Sequence, residues 1–311
     1  AEIDMSGVPN VHYDPDAVTV EREEAGRKTG TYELAGRTLN YVNVTPLTVF
    51  YLAFDTTSVP RAVRRAVAYV HDQAADTAAA FKGRRSAAYH LTPRVLYPGG
   101  PEAAEAHAAT YPYGQGVDVE RARGETEAAG YGPDDRFAFE FAVTPSQDWK
   151  RLADILQERL AAAHVDMSVR TMDARELQEA GAAGELDAYY GGWIADWPAA
   201  ESAIRPLDPD RSDTDEDDPL TYTNWTGPAA ERARAAFDRL RANTGPGEAA
   251  AAARAEAVVA AERANWEDVA ILPTYQYVSE SVWHRWIDTP LPGPLGFRRL
   301  KHHEVTVGER E

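Results

Sequence analysis

The chain reads as an α/β protein built on a largely parallel sheet with crossover helices, and residues 136–193 carry that prediction. "RFAFEFAVT" (136–144) alternates with the period of two expected of a strand. "QDWKRLADILQERLAAAHV" (147–165) then sets Trp149, Leu152, Leu156, Leu160 and Ala163 on one helical stripe. "DMSVRTMD", "ARELQEAGAAG" and "ELDAYYGGW" follow as strand, short helix and strand. A β-α-β-α-β order implies parallel strands joined by crossover helices. Ligands of such sheets sit outside the carboxyl ends of the strands.

The remaining elements follow from local signals. Residues 1–37 are polar and irregular, and "EREEAGRKTG" reads as a loop. "TLNYVNVTPLTVFYLAFDTT" (38–57) is rich in β-branched and aromatic residues and predicts strand, turn, strand. "SVPRAVRRAVAYVHDQAADTAAAFKG" predicts one helix, with Val63, Val67 and Val70 at helical spacing and Arg61, Arg64 and Arg65 mostly on other faces. Ser58 and Pro60 suit its start and Gly83 its stop. Residues 84–116 predict a long loop, and "VDVERARGETEAAG" a short helix ending at Gly130. "PLDPDRSDTDEDDP" (206–219) is an acidic loop that lacks the glycine and final glutamate of a helix-loop-helix calcium site. Two Ala-rich helices over about 228–242 and 246–267 place Pro228 and Pro246 in first turns. "AILPTYQYVSESVW" (270–283) predicts one strand.

Composition narrows the function. The 311 residues suffice for two domains, and no apolar run approaches the roughly 18 residues of a membrane span. A formal charge of −18, from 50 acidic and 32 basic residues, argues against nucleic acid as a partner. It suits either an acidic protein from a GC-rich genome or a halophile, in which salt screens surface repulsion; the halophile is the favoured reading. With no cysteine, disulfides, thiolate metal sites and cysteine nucleophiles are excluded. The eight histidines show no metal-ligand spacing, and His302–His303 is expected to be exposed. No metal, cofactor or catalytic residue is expected.

Residues 191–202, "GGWIADWPAAES", stand at the carboxyl end of the last of these strands. Asp196 lies between Trp193 and Trp197 with no Lys, Arg or His inside the stretch. A poorly solvated carboxylate between aromatic walls suits a cation supplied by a ligand. A helix cap, or a salt bridge to a distant arginine, is the alternative.

Five stretches in order resemble the carboxyl-terminal half of the oligopeptide/dipeptide/nickel class of solute-binding proteins of ABC importers, the family 5 proteins. These are "YLAFDTTSVPRAVRRAVAYVHDQ", "VDVERARGETEAAGYG", "WKRLADILQERLAAAHVDMSVRTMD", "LDAYYGGWIADWPAAES" and "AEAVVAAERANWEDVAILPTYQYV", within about residues 40–285. Gln73, Ala199 and Ala200 depart from the family pattern. The resemblance implies a periplasmic-binding-protein-like fold (type II, cluster C): an α/β lobe with a central mixed sheet and flanking helices, plus part of the other lobe. Residues 1–52 and 278–311 would belong to the first lobe and 53–277 to the second, with further first-lobe sequence expected before Ala1.

The resemblance also implies a role. Asp196 matches the aspartate that holds a peptide's α-ammonium, with Trp193 and Trp197 as flat apolar faces. Tyr190, Asn224, Trp225 and Tyr275 are further candidates for the ligand cleft, with packing as their alternative role. Strict dipeptide binders place an arginine at the end of the strand matching 136–144, and "FAVTPS" has none. Expected partners are a peptide, or else an oligosaccharide or other polar solute, and a membrane permease. The protein itself is expected to be a monomer at the extracellular face, lipid-anchored or secreted. Two other classes are alternatives. A glycosidase would need Asp187 and Asp196 about 5–9.5 Å apart, too close for residues flanking one strand. A ligand-sensing domain of a regulator would show a DNA-binding segment in preceding sequence.

Overall fold

A computed structural model describes residues 3–4, 13–24, 27–213, 219–288, 291 and 305–308. The chain opens with β1 (Ile3–Asp4), β2 (Val18–Glu24), β3 (Arg27–Leu34), β4 (Arg37–Val44) and β5 (Thr48–Phe54). Helices α1 (Arg61–Val70) and α2 (Gln73–Phe81), strand β6 (Ser86–Ala87) and helices α3 (Gly100–Ala108) and α4 (Val119–Ala128) follow. Next come β7 (Phe137–Val143), α5 (Gln147–Ala161), β8 (Val165–Thr171), α6 (Ala174–Ala182), β9 (Ala188–Ile194) and α7 (Ala200–Ala203). The chain continues through α8 (Pro228–Ala242), α9 (Glu248–Asp268), β10 (Ile271–Gln276), β11 (Ser279–His284), β12 (Ile287–Asp288) and β13 (Thr306–Val307).

The larger strands form two sheets. One is antiparallel, in the order β1-β11-β4-β3-β2. The other is mixed, in the order β6-β10-β5-β9-β7-β8. Its β7 runs parallel to both β8 and β9, as the β-α-β-α-β alternation predicts, while β5 runs antiparallel to β9. Apolar side chains fill both faces of the mixed sheet. Leu52, Phe54, Phe141 and Tyr190 pack against α1, α2 and α5. Val49, Tyr51, Ala53 and Tyr189 face the side of α8 and α9.

Several expectations are corrected. The polar segment before residue 37 contains the hairpin β2–β3, whose opposite charges pair across strands; Glu23 faces Lys28 in register. The single helix over 60–82 is two, because Asp72 caps α2 by accepting from Ala75 N at 2.9 Å. Arg64 is buried rather than on an outer face, paired to Asp268 at 2.9 Å. Residues 84–116 hold β6, a 3₁₀ turn and α3. Pro246 precedes α9, with Gly247 as its N-cap. The strand over 270–283 is β10 and β11, one in each sheet. The chain crosses between the sheets at 45–47 and 277–278; a boundary at residue 53 would cut β5. His302–His303 and residues 214–218 of the acidic loop lie outside the described residues.

Candidate functional site

The carboxyl end of β9 extends past its parallel neighbour. β7 pairs with β9 at Phe141↔Ala188 and Ala142↔Tyr189, whereas β5 pairs along all of β9, from Phe54↔Ala188 to Thr48↔Ile194. The order β9-β7-β8 reverses at β7, and open α/β sheets place ligands outside the carboxyl ends of the strands at such a reversal. Two glycines let aromatic rings of β5 lie across this end of β9. A Cβ on Gly191 would stand 2.6 Å from the Tyr51 ring, and one on Gly192 would stand 2.7 Å from the Phe50 ring. Each ring lies across its own cross-strand glycine, Tyr51↔Gly191 and Phe50↔Gly192.

The loop beyond β9 is organised by Ser202, fully buried in α7. Its hydroxyl accepts the N–H of Asp196 at 2.8 Å and that of Trp197 at 3.4 Å. Its carbonyl accepts the Trp193 indole N–H at 2.7 Å. Ala195 N donates to Leu47 O at 2.9 Å, which joins the loop to the start of β5. The structure thus brings together Trp193, Asp196 and Trp197. Trp193 is half-buried, Trp197 is 48% exposed, and the Asp196 carboxylate faces outward.

Asp196 has an internal cation, in line with the distant-arginine alternative. Arg205, in the 3₁₀ turn after α7, donates from Nη1 to Asp196 Oδ2. Its guanidinium lies 5.5 Å from the centroid of the Trp193 ring and 5.8 Å from that of Trp197. Sequence reasoning missed both Ser202 and Arg205. The signal was the turn-forming run "AAESAIRP", which returns the chain toward the strand end.

The other candidates lie elsewhere. Tyr190 and Tyr275 are buried in an aromatic cluster with Phe50 and Trp149. Tyr190 Oη shares a hydrogen bond with Thr274 Oγ1 at 3.0 Å, and Trp149 Nε1 donates to Tyr275 Oη at 2.9 Å. Burial pushes the Tyr190 hydroxyl pKa well above its ordinary value. Trp225 is 2% exposed and donates to Asp268 Oδ2 at 2.7 Å. Asn224 takes a positive φ of 45° and donates from Nδ2 to Asp55 Oδ2 at 2.9 Å. These four residues hold core and loops, and Trp225 belongs to the apolar cluster against which Trp193 packs.

A cavity of about 540 Å³ opens instead between the antiparallel sheet and the 83–108 segment, lined in part by Lys28, Asn43, Arg84, His90 and Gln276. It does not include Asp196. Among the described residues, no group of three or more His, Asp or Glu could hold a metal, and no helix is long and apolar enough to cross a membrane.

Comparison with known proteins agrees with this architecture. The chain is similar to Haemophilus influenzae OppA in complex with the peptide RPPGFSPFR, at 15% identity and a TM-score of 0.66, over 86% of this chain and 50% of that one. It is similar to a Pseudoalteromonas dipeptide-binding protein in complex with Met-Leu, at 18% identity and a TM-score of 0.68, over 86% and 50% of the two chains. For the Escherichia coli murein tripeptide binding protein MppA the figures are 19%, 0.63, 81% and 47%. At these identities the likeness is one of fold, and the chain spans about half the length of these structures. No curated protein matches the chain. The profile described as "Bacterial extracellular solute-binding proteins, family 5 Middle" matches residues 13–215, which include β5, the parallel strands and the Asp196 loop. The mixed sheet flanked by helices is therefore a periplasmic-binding-protein fold, and the chain belongs to the family 5 extracellular solute-binding proteins.

Proposed function

We propose that this chain binds peptides for an ABC importer and that Asp196 receives the ligand's α-ammonium. One observation carries the reading. A half-exposed carboxylate at the strand end stands beside two indoles and already engages a cation. A charge-assisted hydrogen bond of this kind contributes about 1.5–3 kcal/mol. The Ser202 hydrogen bonds hold the carboxylate's backbone before any ligand arrives. The peptides bound in the structures of similar fold support peptide as the solute.

The test is calorimetry on wild type and Asp196→Asn. A peptide with a free amino terminus should lose roughly ten- to a hundredfold in affinity on mutation. The same peptide acetylated at its amino terminus should bind wild type weakly and change little further. Equal wild-type affinity for both forms would remove the anchor role. An oligosaccharide site would instead be indifferent to acetylation and sensitive to Trp193→Ala.

We further propose a two-lobed setting. The mixed sheet belongs to one lobe and the antiparallel sheet to part of the other, in a monomeric protein held at the extracellular face by an anchor or secreted, and docking on a permease. The −18 charge is proposed as high-salt adaptation. Its check is a melting temperature that rises steeply from low to molar salt, where the Debye length falls to about 3 Å.

A further inference from the structure

We infer that Arg205 is a tethered stand-in for the ligand's cation and thereby sets which ligands this site accepts. The inference rests on the peptide reading for its ligand, but its physical basis is independent. Among the described residues, Arg205 has the one guanidinium lying over two tryptophan rings, those of Trp193 and Trp197. The carboxylate between those tryptophans in sequence takes its Nη1 hydrogen bond. A cation seat with aromatic faces and an anion is therefore complete and filled from within the chain.

The way it is filled makes it displaceable. A guanidinium carries five N–H donors, and among the described residues Arg205 uses one, on one oxygen of Asp196. The contrast with Arg159 is direct. That residue grips buried Asp76 through two bonds, Nη1 to Oδ2 at 2.7 Å and Nη2 to Oδ1 at 2.8 Å. The Arg205 and Asp196 side chains are 32% and 49% exposed, so water can replace either partner as the pair opens. Only the side chain needs to swing, because the backbone of the turn is anchored by Ile204 and Leu207, both fully buried.

A tethered cation competes at a fixed, high effective concentration. A ligand ammonium must outcompete it, and a neutral ligand end gains nothing by displacing it. Arg205 thus lowers affinity for a ligand with a charged amino terminus, leaves a neutral end unaffected, and so narrows the margin by which the site prefers the charged end.

The experiment has two arms. The first uses no peptide: Arg205→Ala vacates the seat, and methylguanidinium is titrated at millimolar concentration while tryptophan fluorescence is read. A saturable change is expected in Arg205→Ala. It should be absent in wild type and in Arg205→Ala/Asp196→Asn, and reduced when Trp197→Phe is added. The absence of a saturable change in Arg205→Ala, or its persistence without Asp196, overturns the inference. The second arm measures binding of trialanine and acetyl-trialanine by calorimetry. Arg205→Ala and Arg205→Gln should bind trialanine about tenfold more tightly than wild type and leave the acetylated peptide unchanged. Unchanged or weaker trialanine binding in both variants overturns Arg205 as a competitor. Saturable methylguanidinium binding with no peptide binding in any protein supports the internal cation seat and removes the peptide reading instead.

Discussion

Arg84 Nε donates to Glu280 Oε2 at 2.7 Å, and this buried ion pair links the two sheets. Arg84 lies just before β6 of the mixed sheet and Glu280 on β11 of the antiparallel one. Their side chains are 2% and 1% exposed. Tyr41 Oη donates to Glu280 Oε1 at 2.6 Å and Tyr13 Oη at 3.2 Å, while the Tyr13 ring lies 4.4 Å from the Arg84 guanidinium. Burial, with the Glu280 charge beside it, pushes the Tyr41 hydroxyl pKa far up. Glu280→Gln should cost about 3–5 kcal/mol, because it leaves a guanidinium buried without its counter-charge. Replacing both members by apolar residues of similar size should cost less than the single change. Denaturant midpoints of the two singles and the double decide this; additive losses would refute the coupling.

Ser202→Ala should loosen the Asp196 loop without unfolding the protein. Two backbone N–H groups lose their acceptor, at a cost of about 1–3 kcal/mol. Faster hydrogen exchange at the Asp196 and Trp197 amides, with core amides unchanged, is the expected result.

Gly191→Ala should destabilise by about 1–3 kcal/mol, since the new methyl meets the buried Tyr51 ring at 2.6 Å. The φ at this position is not the reason; the obstacle is the ring. A Tyr51→Leu background should therefore reduce the cost of Gly191→Ala, and a thermal double-mutant cycle tests it.

His107 predicts a pH dependence. Its ring stacks on Trp266 at 4.1 Å, and its Nε2 is buried with no hydrogen-bond partner among the described residues. Burial, assisted by His90 and Arg263 nearby, lowers its pKa from 6.5 to about 4. A histidine that resists protonation only when folded leaves stability untouched above pH 6.5. Stability is then lost as pH falls from 6.5 toward 4, because the unfolded chain binds the proton first. The loss should approach roughly 3 kcal/mol. His107→Phe keeps an aromatic ring for stacking and should flatten stability across that window; an unaltered slope would exonerate His107.

The alternation from 136 to 193 was legible because strands and helices here are amphipathic in the ordinary way. Leu152, Leu156 and Leu160 are indeed buried on one helical stripe. The break at His71–Asp72 was not legible from periodicity. It is set by Asp72 capping α2 and by buried Asp76, which binds His71 Nδ1 at 2.9 Å and Arg159 from a helix 83 residues away. Tyr190, Tyr275 and Trp225 carry the same aromatic signal as Trp193 and Trp197. Only burial separates them, and burial depends on which helices cover each face of the sheet.

The sequence by itself determined the fold class, the family, and the placing of Trp193, Asp196 and Trp197 at the end of a strand. These depend on local periodicity and on short motifs in order, both of which survive in a linear string. Tertiary structure alone decided that Ser202 pins the loop and that Arg205 reaches Asp196. Hydrogen bonds and ion pairs depend on distances of about 3 Å. A turn of α7 and a 3₁₀ turn bring a side chain nine positions away to that distance, and no spacing rule for a single helix or strand contains such a return.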